Sequence, residues 1–135
     1  MQSRNVMAVL SGRRVLVVDD DPDTLTLLAD LLAHEGAEPV TARNADEALQ
    51  KFADARPHVI VSDITMPDGD GYQLLRRVRA RLPTAGGATP AIALTANTGD
   101  LHHSRALLAG YQLHLAKPVD PTALVMAIQR LAAAP

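Results

Sequence analysis

The stretch V-I-V-S-D-I-T-M-P-D-G-D-G, residues 59–71, decides how the rest of the chain is organised. It opens with an apolar, β-branched run, which predicts a strand buried on both faces, and Pro, Asp and Gly turn residues follow. Between the two lies an acid, Asp63, at the carboxyl end of the strand. Ligands bind at such ends in open α/β sheets, although an acid there can also simply start a turn.

Composition limits the classes of protein to consider. The chain has 135 residues, 47% hydrophobic and 21% charged, which suits a single globular domain. With a net charge of -2 and only three aromatic residues, it offers little for binding nucleic acid. It has no cysteine, and the apolar run at residues 6–10 is too short to span a membrane. We therefore expect a cytoplasmic domain with no membrane contact.

A second group of acids follows the first predicted strand, residues 15–18. Asp21 precedes Pro22, and this pair is typical of a helix start, with the acid as N-cap and proline at the first helical position. Asp21 therefore has a structural role. No such role is evident for Asp19 and Asp20, which directly follow the strand.

The remaining chain alternates strands and helices. A glycine ends two of the helices, Asn44 with Glu47 resembles a capping box, and Asp120 is expected to cap the last helix. The third helix is expected over residues 72–82, burying Leu82 and exposing its arginines. The strands are predicted at residues 15–18, 37–42, 59–63, 91–95 and 111–115. Five βα units predict an α/β domain over residues 13–135, with helices on both faces of a parallel sheet. Residues 1–12 are expected to be a flexible leader or a linker remnant.

In such a sheet all carboxyl strand ends lie on one edge. Clustered carboxylates repel by roughly 3 kcal/mol per pair at an effective dielectric near 20, so either one acid keeps a proton or a divalent cation lies among them. An all-oxygen site suits Mg²⁺, and His102 and His103 are adjacent and are expected to be surface residues. The side chains expected at this edge are Asp19, Asp20, Asp63, Thr95 and Lys117.

These residues in this order resemble the receiver domains of two-component response regulators. The resemblance extends from Arg13 to about Leu131 and implies a doubly wound, flavodoxin-like sheet of strand order 2-1-3-4-5 with five helices. The matching residues are Asp19-Asp20, Asp63 with M-P-D-G-D-G, Thr95-Ala96 and Lys117-Pro118.

The resemblance implies a role for each matching residue. Asp63 would take a phosphoryl group from a phosphohistidine on a histidine kinase or a histidine phosphotransfer domain. Lys117 would pair with a phosphoryl oxygen, Thr95 would turn its hydroxyl toward the phosphoryl group, and the Lys117-Pro118 bond would be cis. The ligands of Mg²⁺ would be Asp19, Asp20, Asp63 and the backbone carbonyl of Thr65.

Two positions near this edge leave alternatives open. Many receivers carry Tyr or Phe three residues before the lysine, where this chain has His114. His114 is either a switch residue or a strand residue with its tip in solvent. Asn97 is expected near the pocket mouth, where it could tune the lifetime of the acyl phosphate.

Several functional contexts fit the sequence. The sequences of residues 83–96 and 110–121 resemble those of receivers attached to hybrid sensor kinases. One alternative is a stand-alone regulator, with a weak homodimer as an option. Another is a degenerate receiver that only docks a partner. A flavodoxin-like cofactor carrier is disfavoured because D-D-D-P-D is anionic where a flavin phosphate would bind. Asp19-x-Asp21 matches the spacing of haloacid-dehalogenase-type phosphatases, but Pro22 and the capping role of Asp21 argue against that class.

Overall fold

A five-stranded parallel sheet forms the centre of the molecule. The computed structural model describes residues 8–66, 70–96 and 100–132. The strand order is β2-β1-β3-β4-β5, as the resemblance implied, and Pro39 lies in the edge strand β2 as predicted. The strands are β1 (Arg14–Val18), β2 (Glu38–Ala42), β3 (Val59–Asp63), β4 (Ala91–Thr95) and β5 (Leu113–Ala116).

A helix follows each strand, and three of the five helices begin at the predicted N-cap residues. The Asp21 side chain accepts from the Asp23 amide, and Asn44 accepts from the Glu47 amide at 2.8 Å. Asp120 occupies the N-cap of the last helix, but its side chain makes no capping hydrogen bond, so that detail of the prediction was wrong. The helices are α1 (Pro22–His34), α2 (Ala45–Ala55), α3 (Asp70–Arg79), α4 (Asp100–Ala109) and α5 (Pro121–Leu131), with a 3₁₀ turn at Pro83–Ala85. No helix in the described ranges is long and apolar enough to cross a membrane.

The sheet separates two apolar layers. On one face, α1 and α5 pack against alternate residues of β1, β3 and β4, such as Val15, Val59 and Ile92. On the other face, α2, α3 and α4 cover the intervening residues, such as Leu16 and Ile60. Both faces of β3 and β4 are buried throughout, which explains why these strands read as continuous apolar runs.

Two features of helix α3 differ from the sequence predictions. Helix α3 ends at Arg79 and leaves Leu82 71% exposed, because the chain turns into the 3₁₀ segment before Leu82 can reach the core. Arg79 is not part of a solvated face: its guanidinium donates to the backbone carbonyls of Gly110, Gly87 and Thr89 at 2.7–3.0 Å.

The start of β5 and the segment before β1 also differ from expectation. Strand β5 starts at Leu113, so Tyr111 precedes the strand and is buried beneath the helices. Leu10, in the segment predicted as a leader, is fully buried in the layer of α1 and α5, and its amide donates to the Glu35 carbonyl at 2.9 Å.

Candidate functional site

Three carboxylates meet at the carboxyl edge of the sheet. Asp19 follows β1, where its amide continues the ladder by donating to the Ala42 carbonyl at 3.1 Å. Asp63 is the last residue of β3, directly across from Leu94 of β4. One oxygen each of Asp19, Asp20 and Asp63 lies within 4.8 Å of the other two. The alternation of strands and helices thus brings together acids that are 44 residues apart in sequence, as predicted.

Lys117 neutralises part of this charge. Its Nζ lies 2.8 Å from Asp19 Oδ2 and 3.1 Å from Asp63 Oδ2, forming two ion pairs. The backbone holds it there, because the Lys117 amide donates to the Thr95 carbonyl at 2.8 Å. The bond from Lys117 to Pro118 is cis, as expected. Both carboxylates are nearly inaccessible, at 0% and 3% exposure, whereas Asp20 is exposed. The three acids and one ammonium leave a local net charge of about -2.

Thr65 contributes a side-chain contact that the sequence reasoning missed. Asp63 Oδ1 accepts from the Thr65 amide at 2.8 Å and from the Thr65 hydroxyl at 2.7 Å, in a turn just after β3. The sequence reasoning gave Thr65 only a backbone role. A Thr two residues after an Asp is a typical signal for such a side-chain turn and could have revealed the contact.

Burial and hydrogen bonding shift the pKa values in this cluster. Burial raises the pKa of Asp19 above its ordinary value, and the hydrogen bonds from Lys117 and the Asp21 amide offset this only in part. Burial would lower the pKa of Lys117, but its hydrogen bonds to Asp19 and Asp63 outweigh that effect and the pKa is raised. Lys117 is therefore an ammonium ion at neutral pH.

The donor set fits a hard divalent cation. Carboxylate oxygens from three residues approach one point, and hard cations such as Mg²⁺ and Ca²⁺ prefer oxygen ligands. The exposed side of the cluster, at Asp20, leaves room for water ligands. Asp21 does not join the cluster: its carboxylate accepts from the Thr24 hydroxyl at 2.6 Å, which lowers its pKa, and from the Asp23 amide at 3.3 Å. The phosphatase spacing of Asp19 and Asp21 therefore has no counterpart in the structure.

The other predicted residues lie at different distances from this cluster. Thr95 is fully buried at the end of β4, next to Ala116 in register. His114 lies in β5 opposite Ala93, and its Nε2 is shielded from solvent, so the alternative with the tip in solvent was wrong. Asn97, His102 and His103 carry predictions about side chains that lie outside those the structure describes.

Comparison with known protein families agrees with this geometry. A family model described as "Response regulator receiver domain" matches residues 15–129. The chemotaxis response regulator CheY4 of Vibrio cholerae superposes with a TM-score of 0.80 at 32% identity, covering 88% of this chain and 98% of that one.

Relatives differ in how much more chain they contain. An uncharacterised 14.6 kDa protein of Leptolyngbya boryana is 45% identical over 124 residues, covering 92% of this chain and 93% of that protein. Hybrid signal transduction histidine kinase D of Dictyostelium discoideum is 35% identical over 118 residues, 83% of this chain but only 8% of the kinase. A sequence similar to this chain therefore occurs both in a protein of similar length and as a small part of a much longer one.

Proposed function

The chain belongs to the response regulator receiver family, and from this premise we propose that Asp63 is its phosphoacceptor. The observation that carries the proposal is the setting of the Asp63 carboxylate. It is buried at a strand end, one oxygen is held by Thr65 and the other by Lys117, and two more acids lie beside it. A carboxylate fixed in this way is suited to nucleophilic attack on phosphorus.

The proposed reaction moves one phosphoryl group. An Asp63 oxygen forms a bond to phosphorus while the bond between phosphorus and the imidazole nitrogen of a phosphohistidine breaks, and the electron pair leaves with that nitrogen. Lys117 is next to the attacking carboxylate, with its Nζ 3.1 Å from Oδ2 of Asp63. Its ammonium can therefore form an ion pair with a phosphoryl oxygen as the phosphoryl group is transferred. We assign Thr95, at the end of the neighbouring strand, the role of donating its hydroxyl to the phosphoryl group.

A magnesium ion is part of the proposal. Asp19, Asp20 and Asp63 would hold it with the backbone carbonyl of Thr65, and the bound ion would neutralise charge on the phosphoryl oxygens. Asp63 Oδ1 is tied to the turn at Thr65, and Oδ2 lies beside Lys117. With the ion bound, the carboxylate would contact it as well as the phosphoryl group.

Two further residues complete the assignment. We propose His114, in the strand beside Thr95, as a switch residue, because its ring is half-buried in β5 rather than free in solvent. We also propose that Asn97, two residues after Thr95, tunes the lifetime of the acyl phosphate.

The phosphodonor would be a histidine kinase or a histidine phosphotransfer domain, and we propose a cytoplasmic location for the domain. The hybrid-kinase context is supported by the Dictyostelium relative, in which a similar domain is part of a kinase. The Leptolyngbya relative, nearly all of which aligns with this chain, supports the alternative of a stand-alone regulator, with a weak homodimer as an option. Sizing the native polypeptide by immunoblot of cell extract separates the two contexts.

Phosphorylation with acetyl phosphate and Mg²⁺, followed by intact mass spectrometry, tests the central proposal. The wild-type protein should gain one phosphoryl group, and Asp63→Asn should gain none. Asp54→Asn is the matched control, because Asp54 is an exposed acid on α2, and it should label like wild type. Labelling of Asp63→Asn would reassign the acceptor. A wild-type protein that gains no mass would instead favour a degenerate receiver that only docks a partner.

A further inference from the structure

A buried phenol lies outside the carboxylate cluster and has no role in the reaction proposed above. Tyr111 is 2% exposed, and its hydroxyl donates to the backbone carbonyl of Gly71 at 2.6 Å. Burial raises its pKa, so the hydroxyl keeps its proton and remains a donor across the physiological range. A buried phenol usually has a partner, but here the partner is a backbone carbonyl in the first turn of α3, next to the candidate site.

Gly71 is packed against the phosphoacceptor itself. A Cβ added at Gly71 would lie 2.4 Å from the Asp63 carbonyl oxygen and 2.7 Å from Ile64 Cα, so only glycine permits this approach. The start of α3 therefore rests directly on the backbone of Asp63 and the residue after it.

The Ser62 side chain contacts the same carbonyl. Its hydroxyl is fully buried and donates to the Asp63 carbonyl at 3.2 Å. The Asp63 carbonyl thus accepts a hydrogen bond from the Ser62 hydroxyl and is packed against the backbone of Gly71. The Tyr111 hydroxyl, bonded to the Gly71 carbonyl, fixes Gly71 in that position. These contacts fix the backbone from which the Asp63 side chain projects.

We propose that Ser62, Gly71 and Tyr111 form a clasp that joins the end of β3 to the start of α3, and that Tyr111 is a positioning residue for the Asp63 carboxylate. The clasp acts only through the backbone, because Tyr111 contacts neither the carboxylate cluster nor Lys117 through any hydrogen bond in the described part of the chain. Its effect on phosphorylation rests on the proposed function of Asp63.

The location of Tyr111 adds a connection across the molecule. Tyr111 comes directly after Gly110, whose carbonyl accepts from Arg79 at the opposite end of α3. The turn between α4 and β5 is therefore bonded to both ends of α3: through Tyr111 to its first turn, and through Gly110 to its last residue. A shift of α4 relative to the sheet would reach the Asp63 backbone by this route.

Tyr111→Phe tests the clasp, because it removes one hydroxyl and keeps the ring in the core. The rate constant for phosphorylation at saturating acetyl phosphate and Mg²⁺ should fall about tenfold, as expected when a nucleophile loses its fixed geometry. In metal-free protein, hydrogen exchange at the Thr65 amide, which is bonded to Asp63 Oδ1, should accelerate. Exchange at the Ile60 amide, which donates to the Pro90 carbonyl deeper in the sheet, should stay unchanged.

Val59→Ala is the control for general destabilisation. Val59 is fully buried at the far end of β3 and packs in the opposite layer, so this variant loses stability without touching the clasp. It should keep the wild-type phosphorylation rate and the wild-type exchange rate at Thr65. Ser62→Ala is a gentler second variant, which should shift both quantities in the same direction as Tyr111→Phe.

The outcomes separate the clasp from the function on which it rests. If wild type is phosphorylated and Tyr111→Phe reacts at the same rate with an unchanged Thr65 exchange rate, the clasp is refuted. It is equally refuted if Val59→Ala slows phosphorylation as much as Tyr111→Phe. If wild type itself accepts no phosphoryl group, the proposed function fails, and the exchange rates at Thr65 alone decide whether the clasp exists.

Discussion

Removing the ammonium of Lys117 should destabilise the metal-free domain and make its stability depend on pH in a new way. Lys117→Met keeps an unbranched apolar stem and removes the terminal ammonium with its charge. The variant leaves two buried carboxylates, Asp19 and Asp63, close together without the cation that lies 2.8 Å and 3.1 Å from them.

The magnitude follows from the burial of these groups. Each contact has a Coulomb energy of about 5 to 6 kcal/mol at an effective dielectric near 20, but the cost of burying the charges opposes it. Breaking a buried pair by deleting one partner typically costs about 3 to 5 kcal/mol, because the remaining charge is left uncompensated. Asp19 can relieve part of this by taking up a proton, since burial already raises its pKa. We therefore expect a loss of about 3 kcal/mol in the free energy of unfolding at neutral pH.

Urea unfolding in the presence of EDTA measures this loss. With a slope of about 1.5 kcal/mol per molar urea, the midpoint should fall by about 2 M. The loss of stability should depend on pH, because without the ammonium the folded-state pKa of Asp19 rises further above its unfolded value. The deficit is therefore full above that raised pKa and shrinks as the pH falls through it, because protonation removes the buried charge.

Lys51→Met is the matched control. Lys51 is 41% exposed, and its Nζ pairs with Glu47 and donates to the Thr41 carbonyl at 2.6 Å, so its loss should cost only about 1 kcal/mol and show no such pH dependence. Two results would refute the reasoning: a midpoint for Lys117→Met equal to that of the control, or a deficit that stays constant as the pH falls.

Three other predictions address contacts around the site and at the base of the sheet. Thr65→Val should lose about 1 kcal/mol in urea unfolding, because the 2.7 Å hydrogen bond from the Thr65 hydroxyl to Asp63 is removed. The variant should still be labelled by acetyl phosphate, because the backbone amide of residue 65 continues to donate to Asp63. Arg79→Lys should lose about 3 kcal/mol in the same assay, since an ammonium cannot reach all the carbonyls that the guanidinium holds. Burial and the charge of Arg14 lower the pKa of His58, so an NMR titration of His58 should give a pKa below its usual value. His58 Nδ1 accepts from the Arg14 amide at 2.9 Å, so the stability from this bond is present above the unfolded-state pKa and is lost as the pH falls through the folded-state pKa. His58→Asn should show no such loss.

The residues that the sequence located correctly are those whose positions depend only on backbone topology. Once βα alternation is recognised, parallel strands must end on one edge, so Asp19, Asp63 and Lys117 converge whatever the rest of the packing does. The capping positions of Asp21 and Asn44 are equally local, because the bond spans only two or three residues. Both kinds of inference need no knowledge of the core.

The predictions that failed required knowledge of tertiary packing. Arg79 has the same spacing as its exposed neighbour Arg76, and only the positions of two distant turns make it a partly buried hydrogen-bond donor. Leu82 continues the apolar spacing of α3, yet the helix ends at Arg79. Helical periodicity identifies the buried face of a helix. It cannot show where the helix ends and the turn residues P-T-A-G-G, 83–87, lead the chain away from the core.

Tyr111 shows why part of a site can be absent from its motifs. The motif residues are chemical groups that contact one another, and their types indicate their task. The clasp residues act one bond further away, through the carbonyls of Asp63 and Gly71, and backbone carbonyls have no sequence signature. Only the distances identify them, since a tyrosine before an edge strand would otherwise be taken for ordinary core packing. The proposed phosphoacceptor is therefore found from the sequence, whereas the contacts that fix its backbone are found only from the structure.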